Sequence, residues 1–329
     1  MFENATCLIT GGTGSWGHEL TRKLLSFHPK EIRILSRNEF AQVQMQRRFQ
    51  ANPILHFVVG DVRDREAVEA ACKNVDYVFH LAALKHVPIC EYQPEEALKT
   101  NLQGTQNVIR ASVAAGVRKV IDVSTDKAVD PVNFYGMTKA LGEKLMIHAN
   151  DESTRTRFVC IRGGNVLGTN GSVVPFFKNQ ILANRRVSLT HRDMTRFFLT
   201  VGDAIELLTK AANLAVGGET FVMKMKKCSI LDLAQVMGES LSDKGIEIQE
   251  TGIRPGEKLH EVLVSRNEAS RTYKFGEEYF VILPSHPSEM LQRAYQSLEP
   301  VEFTQYDSST NLMAKPSIRS MLTEGGFLP

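Results

Sequence analysis

The stretch ATCLITGGTGSWGHEL, residues 5–20, decides the fold of this 329-residue chain. A short apolar run, residues 5–10, is followed at once by three glycines spaced GxxGxxG and then by an amphipathic pattern over residues 16–27. A glycine turn between a strand and a helix lets backbone N–H groups approach a pyrophosphate at the positive end of the helix. We therefore predict a dinucleotide-binding turn, and a glycine-rich turn without a ligand is the alternative. The predicted contacts are Gly11, Thr13, Gly14, Ser15, Trp16 and Gly17.

Short runs rich in Val, Ile and Leu alternate with longer amphipathic stretches through the first half of the chain. The predicted strands are residues 5–10, 32–36, 56–60, 77–81, 119–124 and 158–162. Helical patterns lie between them, for example at residues 66–73 and 101–115. This alternation predicts an α/β fold, a doubly wound parallel sheet with helices on both faces.

The domain organisation is predicted from a change of pattern near residue 165. We assign residues 1–165 to a dinucleotide-binding domain, with some later segments returning to it. Beyond it, segments with Gly, Pro and Asn separate helical patterns at residues 203–215 and 230–241, which predicts a smaller C-terminal substrate lobe over residues 166–284. Residues 285–329 are polar and irregular and form either a packed tail or an oligomer contact.

Composition excludes several classes of protein. The 39 Lys and Arg residues nearly balance 37 Asp and Glu, so no net field favours nucleic acid or an anionic membrane. The five cysteines are widely spaced without a CxxC pair, which argues against a disulfide framework and a metal site. Neither a signal peptide nor a run of ~18 apolar residues is present. We expect a soluble cytoplasmic enzyme with no metal and no membrane partner.

The end of the second predicted strand bears on the choice of dinucleotide. An acidic residue there would accept hydrogen bonds from a free ribose 2′-hydroxyl, whereas this chain has Ser36 and Arg37. A guanidinium binds a phosphate bidentately and Ser36 can donate another hydrogen bond, so NADP is predicted over NAD. The alternative is that Arg37 is an ordinary solvated residue. Asp61 and Val62 are expected at the adenine, although Asp61 is also a good helix N-cap.

The chemistry is predicted from STDK, residues 124–127, and NFYGMTK, residues 133–139. Tyr135 and Lys139 are four residues apart and so share a helix face, where the ammonium can lower the pKa of the phenol. Thr125 at the strand end supplies a hydroxyl. These three residues are a candidate proton-transfer set for a substrate alcohol.

Taken together, the motifs resemble those of the UDP-N-acetylglucosamine 4,6-dehydratases of polysaccharide and flagellin-sugar biosynthesis, which are extended short-chain dehydrogenases/reductases with a Rossmann fold. The resemblance covers roughly residues 5–284 and rests on TGGTGSWG, SRNE, GDVRD, HLAALKHVPICEYQP, KTN, STDKAVDPVNFYGMTK, GNVLGTNGSVVPFF, MTRFF and GIRPGEKLHE. Polymer-associated members often carry a membrane-spanning extension before the glycine loop. This sequence starts at the first strand, so we expect the short soluble form.

The resemblance implies a redox-neutral reaction on a UDP-sugar with tightly bound, recycled NADP. Hydride leaves C4 while Tyr135 takes the hydroxyl proton, water is eliminated across C5 and C6, and hydride returns to C6. Asp126 and Lys127 are the implied acid and base, and a surface ion pair between them is the alternative. Lys127 must then be neutral, which requires a lowered pKa, and both side chains can face the sugar only if regular pleating ends nearby.

Further contacts are implied by the resemblance, although each of these residues could instead be structural. The additional cofactor contacts are Leu81, Ala82, Ala83, Lys85 and Asn101, together with Tyr135 and Lys139. The substrate contacts are Lys85, His86, Asn165, Ser172, Val173, Pro175, Arg196, Arg254 and Glu257. Arg196 and Arg254 match positions that neutralise the diphosphate. Glu257 either binds a ribose hydroxyl or pairs with Lys258 or Arg254.

Two positions bear on the subgroup. Some relatives replace Tyr135 with methionine, whereas soluble enzymes that invert C5 keep the tyrosine. Many relatives carry a bulkier residue at Gly163, which leaves more room near the sugar here and leaves the C5 outcome and the sugar preference open. Related enzymes are often dimeric or hexameric, so a homo-oligomer is expected.

Two other functions compete with the dehydratase. A nucleotide-sugar 4-epimerase or 4-ketoreductase would need Thr125, Tyr135 and Lys139 but has no use for an acid and a base beside Thr125. A non-catalytic NADP-sensing protein could dispense with the Tyr/Lys pair, and its presence disfavours that function.

Overall fold

The computed structural model describes residues 1–153, 155–169 and 171–328. Its strands are β1 Thr6–Thr10, β2 Glu31–Ser36, β3 Leu55–Val59, β4 Tyr77–His80, β5 Lys119–Thr125, β6 Arg157–Gly163, β7 Asn165–Val166, β8 Arg186–Leu189, β9 Thr195–Leu199, β10 Thr220–Met223, β11 Lys226–Ser229, β12 Glu247–Glu250, β13 Val262–Val264, β14 Thr272–Phe275, β15 Tyr279–Ile282 and β16 Tyr306–Asp307. Its α-helices are α1 Ser15–Leu25, α2 Glu39–Arg48, α3 Arg65–Cys72, α4 Val87–Tyr92, α5 Pro94–Ala97, α6 Gly104–Ala115, α7 Phe134–Glu152, α8 Val173–Asn184, α9 Val201–Leu214, α10 Ile230–Leu241, α11 Arg266–Ala269, α12 Glu289–Tyr295 and α13 Lys315–Glu324.

A nine-stranded sheet forms the centre of the molecule, in the order β14-β15-β10-β6-β5-β4-β1-β2-β3. The seven strands from β10 to β3 are parallel, and β15 and β14 extend one edge in antiparallel pairing. Because the chain runs outward from β1 in both directions, the predicted doubly wound α/β fold is confirmed.

Each of the six predicted strands matches an observed strand to within one residue at either end. The helix predicted over residues 101–115 is α-helical only from Gly104, since Leu98–Gln103 forms a π-helical turn. That turn buries Asn101, whose amide bonds both backbone groups of Leu84 at 2.8 and 2.9 Å. Asn101 therefore braces the loop that follows β4.

Buried apolar side chains of the described residues form four clusters, and two of these contain segments after residue 165. The larger one packs against the main sheet and includes Leu291 and Tyr295 from α12. The second lies among α8, α10 and α13 and contains, for example, Phe177, Leu233 and Ile318. Segments after residue 165 thus contribute to both of these clusters, and the exact boundaries predicted at residues 165 and 284 stay predictions.

None of the helices in the described ranges has the length and apolar character needed to cross a bilayer. The five cysteines are all buried and unpaired. Within the same ranges, His, Cys, Asp and Glu side chains form no cluster of three that could hold a metal ion.

Candidate active site

A cavity of about 660 Å³ lies at the carboxyl ends of β1 to β6, where ligands bind in open parallel sheets. It brings together most of the predicted site residues. Those that line it are Gly11, Thr13, Gly14, Ser15, Trp16, Gly17, Ser36, Arg37, Asp61, Val62, Leu81, Ala82, Ala83, Lys85, His86, Thr125, Lys127, Tyr135, Lys139, Asn165, Ser172 and Val173. Those that do not line it are Asn101, Asp126, Pro175, Arg196, Arg254 and Glu257.

The glycine turn is shaped to bring backbone against an anion. Gly11 has φ +67° and approaches the segment after β4 so closely that a Cβ there would lie 2.8 Å from the Cα of Ala82. A Cβ at Gly17 would lie 2.0 Å from the oxygen of Gly12, so α1 packs directly on the turn. No side chain of the described residues caps the first amides of α1 at Ser15. These uncapped amides at the cavity fit a dinucleotide diphosphate.

The second strand ends with a hydroxyl and a guanidinium at the cavity. Ser36 Oγ accepts a hydrogen bond from Gln42 Nε2 at 3.0 Å, which leaves its O–H free to donate. Arg37 is half exposed, and its guanidinium lies 3.7 Å from Asp61 Oδ2. Both groups are therefore placed to bind a phosphate.

Asp61 holds a neighbouring arginine rather than capping a helix. Its carboxylate accepts hydrogen bonds from the backbone and side chain of Arg63, at 2.9 and 2.8 Å, while Asp64 caps α3. Burial acts to raise the pKa of Asp61, but the bonds and charge of Arg63, with Arg37, lower it on balance. The N-cap alternative for Asp61 is wrong.

Regular pleating ends at Thr125, as the elimination chemistry requires. A 3-10 turn, Asp126–Ala128, follows directly, and Thr125 Oγ1 accepts from the Lys127 amide at 3.4 Å and donates to Asp126 Oδ1 at 2.9 Å. Lys127 Nζ donates to the same Oδ1 at 2.9 Å. Asp126 is fully buried, and its Oδ2 has no hydrogen-bond partner in the described ranges. The pair is therefore a buried ion pair at the cavity, and the surface alternative is wrong.

The protonation of Lys127 differs from the expectation. Burial acts to lower its pKa, but the carboxylates of Asp126 and Glu261 outweigh burial and hold the pKa above its ordinary value. The predicted lowering of this pKa is thus wrong, because the two carboxylates favour the ammonium form of Lys127.

Helix α7 supplies the tyrosine and the second lysine. Asn133 caps the helix by accepting from the Gly136 amide at 2.7 Å, which sets Tyr135 and Lys139 on one face at the cavity. Burial raises the pKa of Tyr135 more than Lys139, Lys127 and a hydrogen bond with Thr125 lower it. The ammonium of Lys139 therefore acts in the predicted direction, but the net pKa of the phenol is raised.

Residues 7–283 match the family model described as polysaccharide biosynthesis protein. The chain belongs to this family. It is 45% identical over 289 residues to a UDP-N-acetylglucosamine 4,6-dehydratase (inverting) of Campylobacter jejuni, covering 87% of this chain and 84% of that relative. It is 42% identical over 285 residues to a UDP-glucose 4-epimerase of Rickettsia bellii, covering 85% and 83% of the two chains.

Among solved structures, the X-ray structure of Pen from Bacillus thuringiensis matches with a TM-score of 0.92. It is 38% identical and covers 100% of both chains. The match extends over the C-terminal region as well as the sheet, so the whole fold is similar to that of Pen.

Four of the residues predicted at the substrate lie outside the cavity, namely Pro175, Arg196, Arg254 and Glu257. Arg196 is buried and donates to the oxygens of Thr195 and Leu259 at 2.7 and 3.1 Å. Its guanidinium also lies 3.3 Å from Glu257 Oε1, so Glu257 pairs with Arg196 and not with the predicted Lys258 or Arg254. Arg254 is exposed. Diphosphate binding by either arginine stays a prediction.

Asn165 and Val166 of β7, with Thr169, Gly171 and Ser172, line one side of the cavity. Ser172 Oγ is buried and has no hydrogen-bond partner in the part of the chain that is described. The ring of His86 lies against Gly171, where a Cβ would be 2.5 Å from Cε1. Pro175 lies in the first turn of α8 beyond the cavity wall. A buried hydroxyl without a partner in this wall suits a polar ligand.

Gly163 is buried at the end of β6. A Cβ there would meet only Met223 Sδ at 3.6 Å, an ordinary contact. At the adjacent Gly164 a Cβ would lie 2.7 Å from the Cβ of Phe197. The room predicted at position 163 is therefore present, whereas position 164 is tightly confined.

Sequence reasoning missed two buried carboxylates of this site. Asp122 lies on β5 and contacts Lys139. The sequence feature that could have revealed it is an acidic residue within the apolar run KVIDVS. Glu261 lies just before β13 and contacts Lys127 and Arg196. The sequence feature that could have revealed it is its place as the last residue of the motif GIRPGEKLHE. Asp122 and Glu261 do not line the cavity themselves. The cavity-lining residues that were not predicted are Leu35, Asn38, Gly60, Leu84, Thr100, Val123, Ser124, Gly164, Val166, Thr169 and Gly171.

Proposed function

We propose that this protein is an NADP-dependent UDP-N-acetylglucosamine 4,6-dehydratase. The observation that carries the proposal is the buried Asp126–Lys127 pair directly beside Thr125, with Lys127 lining the same cavity as Tyr135 and the glycine turn. One site thus holds a proton-transfer set for an alcohol together with a further acid–base pair. The similarity to the Campylobacter jejuni dehydratase supports the same function.

Bound NADP would accept the hydride from C4 of the sugar and return it to C6. Tyr135 would take the C4 hydroxyl proton, with Lys139 stabilising the phenolate and Thr125 hydrogen-bonded to the phenol. The resulting ketone acidifies the hydrogen at C5. Lys127 would remove that proton and Asp126 would protonate the departing C6 hydroxyl, which requires one proton to pass from the Lys127 ammonium to the Asp126 carboxylate when the substrate is bound.

The alternative function is a nucleotide-sugar 4-epimerase, supported by the similarity to the Rickettsia bellii protein. An epimerase also needs Tyr135 and Lys139. It removes no water, so it does not use an acid–base pair at residues 126 and 127. Burying an ion pair costs desolvation energy, and a site without a use for it would not need it at the cavity.

The cofactor form and assembly belong to the same proposal. NADP is favoured over NAD because Arg37 and the free O–H of Ser36 end β2 at the cavity. A homo-oligomer is proposed because Tyr92 on α4 and Leu141 on α7 are large hydrophobic side chains exposed on two helices that pack together. A cytoplasmic location is part of the same proposal. Neither nucleic acid nor a membrane is proposed as a partner.

The reaction is tested with purified protein, UDP-N-acetylglucosamine and deuterated water, without added cofactor. Proton NMR should show a new C6 methyl signal with deuterium at C5, and the ring couplings give the C5 configuration. A change at C4 alone would replace the dehydratase by the epimerase. No change at all, also after NADP+ is added, would refute both functions.

A further inference from the structure

Glu261 is a buried carboxylate that the proposed reaction does not use. Glu261 is 2% exposed. Its backbone makes two hydrogen bonds with Ser308: the Glu261 amide donates to Ser308 Oγ at 3.0 Å, and the Ser308 amide donates to the Glu261 carbonyl oxygen at 2.9 Å. Glu261 Oε1 lies 3.5 Å from Lys127 Nζ and 3.7 Å from Arg196 Nε. Glu261 Oε2 has no hydrogen-bond partner in the described ranges.

One carboxylate oxygen is therefore shared between two cations. Arg196 has three further partners, Glu257 and the oxygens of Thr195 and Leu259, so Glu261 is its most distant contact. Among the described residues, Lys127 Nζ contacts only Asp126 and the more distant Asn165 besides Glu261. Removing the Glu261 charge should thus affect Lys127 more than Arg196.

The surroundings of Lys127 contain charges from every element packed around it. Burial and the Arg196 guanidinium act to lower the pKa of Lys127, and the carboxylates of Asp126 and Glu261 raise it. The nearby Lys258 ammonium donates to the carbonyl oxygen of Val129 at 2.6 Å. Lys85 lines the same cavity, and the charge of Lys127 helps to lower its pKa, after burial. The charged and titratable groups that interact with Lys127 are Lys85, Asp126, Tyr135, Arg196, Lys258 and Glu261.

We propose that Glu261 is a positioning residue for the elimination step: its carboxylate holds the Lys127 ammonium beside Asp126 and sets the pH at which this amine becomes a base. This inference rests on the proposed function. Without a second carboxylate, the Lys127–Asp126 pair would give up its proton more easily. Glu261 therefore tunes proton transfer without touching the sugar.

The test is the variant Glu261→Gln, which keeps the shape of the side chain and removes its charge. If Lys127 must lose a proton, turnover rises with pH through the pKa of Lys127, and E261Q should move that rise to lower pH by about one unit. The reactivity of the Lys127 amine is measured in parallel by competitive acetylation across pH and peptide mass spectrometry. Its half-labelling pH should fall by the same amount.

Glu219→Gln is the matched control. Glu219 is fully buried and accepts from Tyr295 and from the amides of Val216 and Gly217, away from the cavity. E219Q should lower thermal stability but leave both pH profiles unmoved. Equal profiles for E261Q and the wild type, or an equal shift in E219Q, would overturn the proposal.

The labelling experiment separates this inference from the proposed function. If the wild type forms no dehydrated product, the proposed function fails, and the labelling of Lys127 still decides whether Glu261 controls its charge. If E261Q does not fold, Glu261→Asp decides, because it keeps the charge but moves it away from Lys127 Nζ, so the half-labelling pH of Lys127 should still fall below that of the wild type. An E261D protein that labels at Lys127 like the wild type would overturn the proposal.

Discussion

Both carboxylate oxygens of Asp122 lie close to Lys139 Nζ, at 3.1 and 3.3 Å. Asp122 is fully buried on β5, and Lys139 is 4% exposed on α7. Burial acts to lower the pKa of Lys139, but Asp122 and Tyr135 outweigh it and raise that pKa. The lysine that serves the tyrosine is thus kept charged by an acid inside the sheet.

This pair predicts strong coupling in a double-mutant cycle. Asp122→Asn and Lys139→Met should each lower the free energy of unfolding by about 3–5 kcal/mol, because each leaves one buried charge alone. The double variant should lose less than the sum, since no unpaired charge remains. Urea unfolding gives the free energy of unfolding for the wild type, the two single variants and the double variant. Additive losses within about 0.5 kcal/mol would contradict the pairing.

The tyrosine is predicted to act in the chemical step. Tyr135→Phe should lower kcat about 10²–10⁴-fold with little change in KM, because only proton transfer is lost. Tyr279→Phe is the matched control, since Tyr279 is buried and donates to the oxygen of Leu207 at 2.7 Å, away from the cavity. Steady-state turnover is measured for both. A Y135F enzyme within tenfold of the wild type would exclude the role.

The cofactor preference is predicted to depend on Arg37. Arg37→Gln should weaken NADP+ binding about 10- to 100-fold, the value of a charge-assisted hydrogen bond, and leave NAD+ nearly unchanged. Trp16 is the only tryptophan and lines the cavity, so its fluorescence reports binding directly. Equal loss for the two dinucleotides would show that Arg37 does not contact a 2′-phosphate.

Acid sensitivity is predicted from a second buried ion pair. Arg162 NH2 lies 2.8 Å from Glu268 Oε1, and although burial acts to raise the pKa of Glu268, Arg162 and the bonds of Ser265 hold it at about 2. A lowered carboxyl pKa stabilises the fold above the unfolded value of 4.5, and this stability is lost as the pH falls towards 2. The full contribution is about 3 kcal/mol.

The free energy of unfolding in urea, measured between pH 5 and pH 3, reports the part of this contribution that is lost within that pH range. Glu268→Gln should have a lower free energy of unfolding than the wild type at pH 5, and that free energy should fall less between pH 5 and pH 3. Glu302→Gln is the control, because Glu302 is highly exposed and should leave the wild-type dependence intact. The same slope in E268Q and the wild type would contradict the assignment.

The sheet and the position of the cavity could be predicted because their signals are local. A strand buried on both faces is a continuous apolar run, which marks β1 to β6, and a glycine turn fixes the phosphate end. The π-helical turn at Leu98–Gln103 could not be predicted, since a shift in hydrogen bonding leaves little trace in periodicity.

The charges inside the site could not be predicted, because they depend on residues distant in sequence. Lys127 was expected to be neutral, yet Glu261, brought in from the segment before β13, keeps it charged. Glu257 was expected to pair with Lys258 or Arg254, yet it lies 3.3 Å from Arg196. Each partner is more than 60 positions away in the chain, and only the folded arrangement shows which opposite charges meet.

The central claim is that hydride moves from C4 to C6 of one sugar, and UDP-N-acetylglucosamine deuterated at C4 tests it most directly. After incubation with the purified protein, NMR and mass spectrometry locate the label in the product. We expect deuterium in the C6 methyl group and loss of one water from the sugar. Deuterium retained at C4 with no loss of water would contradict it and would identify the reaction as epimerisation.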